Sequence, residues 1–177
     1  AFAGGFILQS LMVYWFHLKF GANIGLLGSI FFAANILAGI SALLAARIAT
    51  YIGLINTMVF THIPSNILLV LIPFMPTLPL AVGLLLLRFS ISQMDVPTRQ
   101  SYTMAIITPE ERSAAGGFLQ MARSVGASLS PALSGLLLAN PALFNLPLFL
   151  AGGLKIVYDL LLYHSFKTIK PPEERTE

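Results

Sequence analysis

Long apolar runs separated by short polar breaks dominate the chain. Six of them approach the ~20 apolar residues that a helix rising 1.5 Å per residue needs to cross a bilayer core. They cover residues 1–18, 22–46, 54–75, 78–99, a fifth that starts after Pro109 with its uncharged part at 124–140, and 142–163. The second has no charged residue at all. Membrane strands would show segments of ~10 residues alternating in polarity between turn signals, and the chain shows none. The expected fold is an all-α integral membrane bundle of six transmembrane helices over residues 1–166, the first helix lacking its start, with a cytoplasmic tail over 167–177. The connections, at 19–22, 47–53, 76–79 and 140–147, are short and make successive helices antiparallel neighbours.

Composition agrees. The chain is 56% hydrophobic and only 10% charged, whereas soluble domains carry about 25% charged residues. There is no cysteine, which excludes a disulfide framework and thiolate chemistry. The formal charge of +3 is spread along the chain and forms no nucleic-acid footprint. The basic residues report topology instead. Arg47, Arg99, Arg112, Lys167, Lys170 and Arg175 fall on one side of the expected bundle, and Lys19 alone on the other. By the positive-inside bias, both chain ends face the cytoplasm of a multi-pass plasma-membrane protein.

Polar residues inside the apolar runs are the candidate functional positions. Arg88 lies ten residues into the fourth run, about 15 Å deep at the helical rise. Arg88, Ser92, Asp95 and Arg99 recur at helical spacing and form a polar stripe descending towards the cytoplasm. The stripe can be the wall of a substrate or ion pathway, or a structural ion pair in which Asp95 compensates Arg88, Arg99 or Arg123. Gln9 is a further pathway candidate, while Asn35 and Asn66 suit interhelical hydrogen bonds. Arg47, Arg99, Arg112 and Arg123 are candidate cytoplasmic loop or gating residues. Lys155 and Asp159, at i and i+4, are expected to neutralise each other. Tyr14, Trp15 and His17 resemble an interfacial aromatic belt. His17, His62 and His164 have no metal-ligand spacing, so no metal is assigned.

Other signals concern helix ends and packing. Ala38, Ala42 and Ala46, and Ala122, Gly126, Ser130 and Ser134, form small-residue faces. Pro64, Pro97 and Pro131 predict kinks. Thr108, Pro109, Glu110 and Glu111 make a capping box that starts the fifth helix. No Gly-rich phosphate loop with a Gly-Lys pair is present, so nucleotide hydrolysis and a nucleotide cofactor are not expected. Gly39-Ile-Ser41 is similar to the nucleophile motif of rhomboid-type proteases, but Ala42 replaces that family's Gly and the nearest base, His164, sits at a helix end.

Six helices with both ends cytoplasmic resemble the C-terminal half of a major facilitator superfamily transporter. Ala45-Ala-Arg47 through Gly53 resembles the second copy of that family's cytoplasmic loop signature, with Ala46 where the acid stands. Arg88-x-x-x-Ser92 resembles its intramembrane Arg motif, and the stretch from Gly126 to Gly135 its antiporter signature. Met94-Asp95-Val-Pro97-Thr-Arg99-Gln, followed by Pro109-Glu-Glu-Arg112, resembles a bacterial-type facilitator subgroup. The resemblance implies secondary active transport of a small solute by alternating access, proton-coupled and with efflux favoured, and no enzyme activity. It implies the first and fourth helices on a central cavity and the third and sixth towards lipid. The implied partners are the bilayer, the solute, a proton or other coupling ion, and a missing N-terminal six-helix half or a second copy. A non-transporting, truncated or assembly-type six-helix protein is the alternative.

Overall fold

In the computed structural model, the described residues are 3–108, 110–122, 124–125 and 140–166, with no side-chain detail for residues 1–10. All regular structure among them is helical. α1 spans Ala3–Phe20, α2 Ile24–Ile52, α3 Leu54–Leu71, α4 Leu78–Ser92 and α5 Asp95–Ile106. Residues 112–122 are helical again, as α6, and α7 spans Leu146–Phe166. Short 3-10 turns follow α3 at Ile72–Phe74 and precede α7 at Pro141–Leu143. Among the described residues, four stretches are long and apolar enough to cross a membrane: Ile24–Ile52, Leu54–Phe74, Leu78–Ala105 and Leu146–Phe166. α1, which carries Gln9, His17 and Lys19, is not among them.

The helix boundaries differ from expectation in two informative places. The expected loop 47–53 is helical almost throughout, because nothing in Ala45–Ile52 breaks a helix. Gly53 alone makes the turn, at φ 83, where a side chain would be strained. Arg47 therefore sits exposed on the last turns of α2, not in a loop. The fourth run, by contrast, is two helices. α4 stops at Ser92 and α5 starts at Asp95, with a two-residue turn between them. Pro97 has no N–H to give the Gln93 carbonyl, so the helical ladder is interrupted one turn before the proline itself.

α3 lies at the centre, packed against α2, α4, α5 and α7. Polar side chains in it close back on their own helix: Thr57 Oγ1 donates to the Gly53 carbonyl at 2.8 Å and Thr61 Oγ1 to that of Thr57 at 2.7 Å. This satisfies hydroxyls where water is scarce. Asn35 does the same, donating to the Phe31 carbonyl at 2.7 Å, and so does not bond between helices as expected. The buried stripe of α2 is Phe31, Ala34, Ala38, Ser41 and Ala45. Of the expected small-residue face only Ala38 belongs to it; Ala46 is exposed because 3.6 residues per turn carries a strict four-residue repeat off the face. The second small-residue face lies, apart from Ala122, outside the described residues, as does Pro131.

The end of α1 is clamped to two other elements. Trp15 is fully buried, stacked on Phe144 at 5.8 Å, and its Nε1 donates to Asn145 Oδ1 at 3.0 Å. Lys19 donates to the carbonyls of Pro73 and Met75 and lies over the Trp15 ring. Of the expected aromatic belt only Tyr14 is a large exposed ring; Trp15 is a core residue because its N–H finds a partner inside.

α7 approaches α3 closely at Gly152. A Cβ there would stand 2.5 Å from Val70 Cγ2 and 3.2 Å from the Asn66 carbonyl oxygen, whereas at Gly153 nothing lies within 4 Å. Gly152→Val is expected to lower stability by about 1–3 kcal/mol through overpacking, and Gly153→Val by much less, in thermal unfolding of the two variants in detergent.

Candidate functional site: a buried ionisable layer

Three helices repeat one order of residues along their buried faces. From the Gly53 end, α3 presents Ile55, Met58 and Val59, then His62, Ser65 and Asn66, then Leu69. The α4–α5 rod presents Ala81, Leu85 and Phe89, with Arg88, Ser92, Asp95 and Thr98 towards its break, then Tyr102. α7 presents Leu148, then Lys155 and Asp159, then Leu162 and Phe166. The two apolar blocks form separate clusters, one with Trp15, Phe31, Leu69, Leu85 and Leu148, the other with Ile55, Met58, Val59 and Tyr102. The polar layer is held between them. A buried ionisable group is tolerated only when paired or hydrogen-bonded, so its partners carry the information.

His62 is the hub. Its Nδ1 lies 2.9 Å and 2.7 Å from the two carboxylate oxygens of Asp159. An ionised carboxylate only accepts, so Nδ1 carries the hydrogen and donates it to Asp159. Asn66, one turn along α3, donates to Asp159 Oδ2 at 3.3 Å. The other ring nitrogen, Nε2, faces Asp95 Oδ2 at 3.8 Å. That same oxygen accepts from Arg99 Nη2, one turn along α5. One imidazole thus stands between two carboxylates from different helices, and one carboxylate oxygen is shared between the imidazole and a guanidinium. Asp95 is also in the first turn of α5, where the helix dipole favours a negative charge. Arg99 reaches α7 as well, with its Cζ 5.2 Å from the Tyr158 ring centroid.

The expected stripe is present as a set of positions but not as one continuous helical face. Arg88, Ser92 and Asp95 are all buried and Arg99 is nearly so, yet the break at Gln93 and Met94 separates the first two from the last two. Asp95 forms its ion pair with Arg99. Arg99 is a half-buried ion-pair residue within α5, whereas Arg47 and Arg112 are exposed. Before α6 the Glu111 N–H donates to the Thr108 carbonyl at 3.0 Å and Thr108 Oγ1 to Glu111 Oε2 at 3.1 Å, a backbone turn tied by a side-chain bond in place of the expected capping box, whose side chains would accept from backbone N–H groups. The Gln9 side chain, Arg123 and the Gly126–Gly135 stretch lie outside the described residues.

One expectation fails. Lys155 and Asp159 do not pair with each other; Asp159 is engaged by His62 and Asn66, and Lys155 has no hydrogen bond or ion pair among the described residues. The polar side chains of α3 and α7, His62, Asn66, Lys155 and Asp159, are all buried between helices. His62 was overlooked because its spacing to other histidines suggested nothing. The signal available was His62 and Asn66 at i and i+4 inside an apolar run, the same kind of signal that singled out Arg88. Ser41 is buried on α2, and its hydroxyl has no hydrogen-bond partner among the described residues.

The sequence profile of the Major Facilitator Superfamily matches residues 1–177. A Saccharomyces cerevisiae protein named "Uncharacterized membrane protein YJR124C" is 30% identical over 159 residues, covering 89% of this chain and 35% of that protein. The chain therefore spans about a third of the length of the curated relative it matches. No solved structure matches it.

Removing the Asp159 carboxylate leaves the His62 and Asn66 donors buried without an acceptor. Asp159→Ala is expected to cost about 1–3 kcal/mol. In a double-mutant cycle with His62→Ala the two losses should fall well short of additive, because the second substitution removes a donor already orphaned. Additive losses in thermal unfolding would mean the two side chains do not act as a unit.

Proposed function

The chain belongs to the major facilitator superfamily, and we propose that it is part of a proton-coupled secondary transporter that moves a small solute by alternating access. The observation that carries this reading is the imidazole of His62 between the Asp95 and Asp159 carboxylates, buried within membrane-length helices. Ionisable groups at such depth are expensive and mark ion or proton routes in membrane proteins.

The geometry suits proton transfer. With Nδ1–H donated to Asp159, the Nε2 lone pair is free to take a proton that a coupling ion gradient first delivers to the Asp95 carboxylate, which returns to its ionised form beside Arg99. The imidazolium so formed can release its Nδ1 proton to Asp159, which moves one proton from α5 to α7 through α3. Protonation of His62 also places a second cation against the Asp95 oxygen that holds Arg99, which loosens the link between Arg99 and α5's first turn. A proton thus biases the contact between the α4–α5 rod and the α3–α7 pair, the kind of two-state contact that alternating access requires.

We place six spans in the membrane, α4 and α5 together forming one and the stretch from α6 onward another. The Gly53 end of α3 faces the cytoplasm, on the side of Arg47 and Arg112. The pathway is completed by further helices or by a second copy, in keeping with the two-half family architecture and with the greater length of the yeast relative. The exposed apolar ridge of α2, with Phe32, Ile36, Ile40 and Leu43, is a candidate surface for that contact.

The test is transport by the full-length protein in proteoliposomes with a pH-sensitive dye inside, screened against a panel of small solutes. A substrate should drive proton movement, and His62→Gln or Asp95→Asn should reduce that movement at least about tenfold, in the usual range for a proton-transfer group. Exposed Arg47→Gln should retain most of it. Solute uptake with unchanged pH dependence in both buried variants would make the layer structural.

A further inference from the structure

One oxygen of Asp95 faces two nitrogen partners. Arg99 Nη2 donates to Oδ2 from one turn along α5, and His62 Nε2, on α3, stands 3.8 Å from the same oxygen. At that distance the imidazole is outside hydrogen-bond range, so in this structure the oxygen belongs to Arg99. The ionisable groups facing His62 are Asp95 from α5 and Asp159 from α7, and Arg99 acts on it through Asp95. Arg88 of α4 and Lys155 of α7 are the other buried cationic side chains of these helices.

α7 offers its own side chains to both partners of that oxygen. Asp159 accepts from His62, and the neighbouring Tyr158 places its ring centroid 5.2 Å from Arg99 Cζ. That is within the ~6 Å reach of a cation–π contact. The contacts close a circuit through three helices, from Asp95 to Arg99 to Tyr158, on to Asp159, then to His62 and back to Asp95. The ring contacts of Lys19 with Trp15 and of Arg88 with Phe89 each stay within one helix, whereas this one joins α5 to α7. The Arg99 side chain is only 11% exposed and Tyr158 is half-buried, so water screens the contact little.

We propose that Tyr158 is a positioning residue of the proton switch: its ring seats the Arg99 guanidinium while Asp95 changes partner from Arg99 to a protonated His62. A buried guanidinium that lost its carboxylate would be stranded, and that cost would oppose the exchange. The face of the Tyr158 ring takes up part of the charge. It counts for more after the exchange than before, because a carboxylate in contact already neutralises the guanidinium. That difference between the two arrangements lets the ring favour the exchange and not merely stabilise the fold. The inference rests on the transport reading, which supplies the proton on His62; the contact between Tyr158 and Arg99 does not.

The experiment varies the ring and reads both proton movement and stability in the full-length protein. Tyr158→Phe keeps the ring face and should retain substrate-driven proton movement in proteoliposomes. Tyr158→Leu should reduce it at least about fivefold, the worth of one partly buried cation–π contact. Phenylalanines carrying one, two and three ring fluorines in place of Tyr158 drain the negative ring face stepwise at nearly constant size. Proton movement should fall along this series. The thermal midpoint in detergent should fall along it too, and stay flat along it when Arg99→Gln removes the cation. The fluorine series decides alone if Arg99→Gln does not fold. The proposal is overturned if fluorination changes neither readout or if the midpoint falls equally without the cation. It is also overturned if the midpoint falls while proton movement holds, which would make the contact structural only. A parent that moves no protons for any solute of the panel removes the transport reading, and the positioning role with it. Unchanged proton movement along the series in an active parent removes the positioning role alone.

Discussion

The hydrogen bond from His62 to Asp159 is the interaction on which the rest of the bundle depends. A carboxylate in the interior of an apolar bundle must have donors, and α3 supplies two, from His62 and Asn66. Meeting that need sets the register of α7 against α3, which brings Gly152 against Val70 and the Asn66 carbonyl. With the register set, the apolar blocks on either side of the layer coincide, Leu69 with Leu148 and Ile55 with Leu162 and Phe166. The polar layer works as a registry device for the packing of α3 on α7.

The same layer connects α5 to that pair. Asp95 reaches His62 and Arg99 with a single oxygen, and Arg99 reaches Tyr158 on α7. This arrangement exists because the fourth apolar run is broken before Pro97. The break lets Asp95 begin a new helix, with its carboxylate at a favourable dipole end. An unbroken helix would have kept Asp95 in line with Arg88 and Ser92. Each partner of His62 is also held by a second group, Asp159 by Asn66 and Asp95 by Arg99.

Much of the site was legible as isolated oddities. Arg88 stood out because a cation in an apolar run needs a reason, and Asp95 and Arg99 followed from their helical spacing. Arg88 and Asp95 are buried and Arg99 is nearly so. The pairing among them did not follow, since spacing names every residue within reach and cannot rank them. His62 and Asp159 were harder. Each has a local interpretation, one as an unremarkable histidine and the other as the neighbour of Lys155. Their contact spans 97 residues of sequence. Trp15 shows the same limit: near a helix end it resembles an interfacial anchor, yet Asn145, 130 residues away, gives its N–H a partner inside.

By itself the sequence determined the helical, membrane-embedded class, the main breaks between helices and the presence of charge at depth, because these depend on local length, hydropathy and capping. The tertiary structure decided which charges meet. It gave Asp159 to His62 and Asp95 to Arg99. The physical reason is that a buried charge takes whichever partner the packed helices bring within hydrogen-bond reach, and that is set by the register of whole helices rather than by neighbours in the chain.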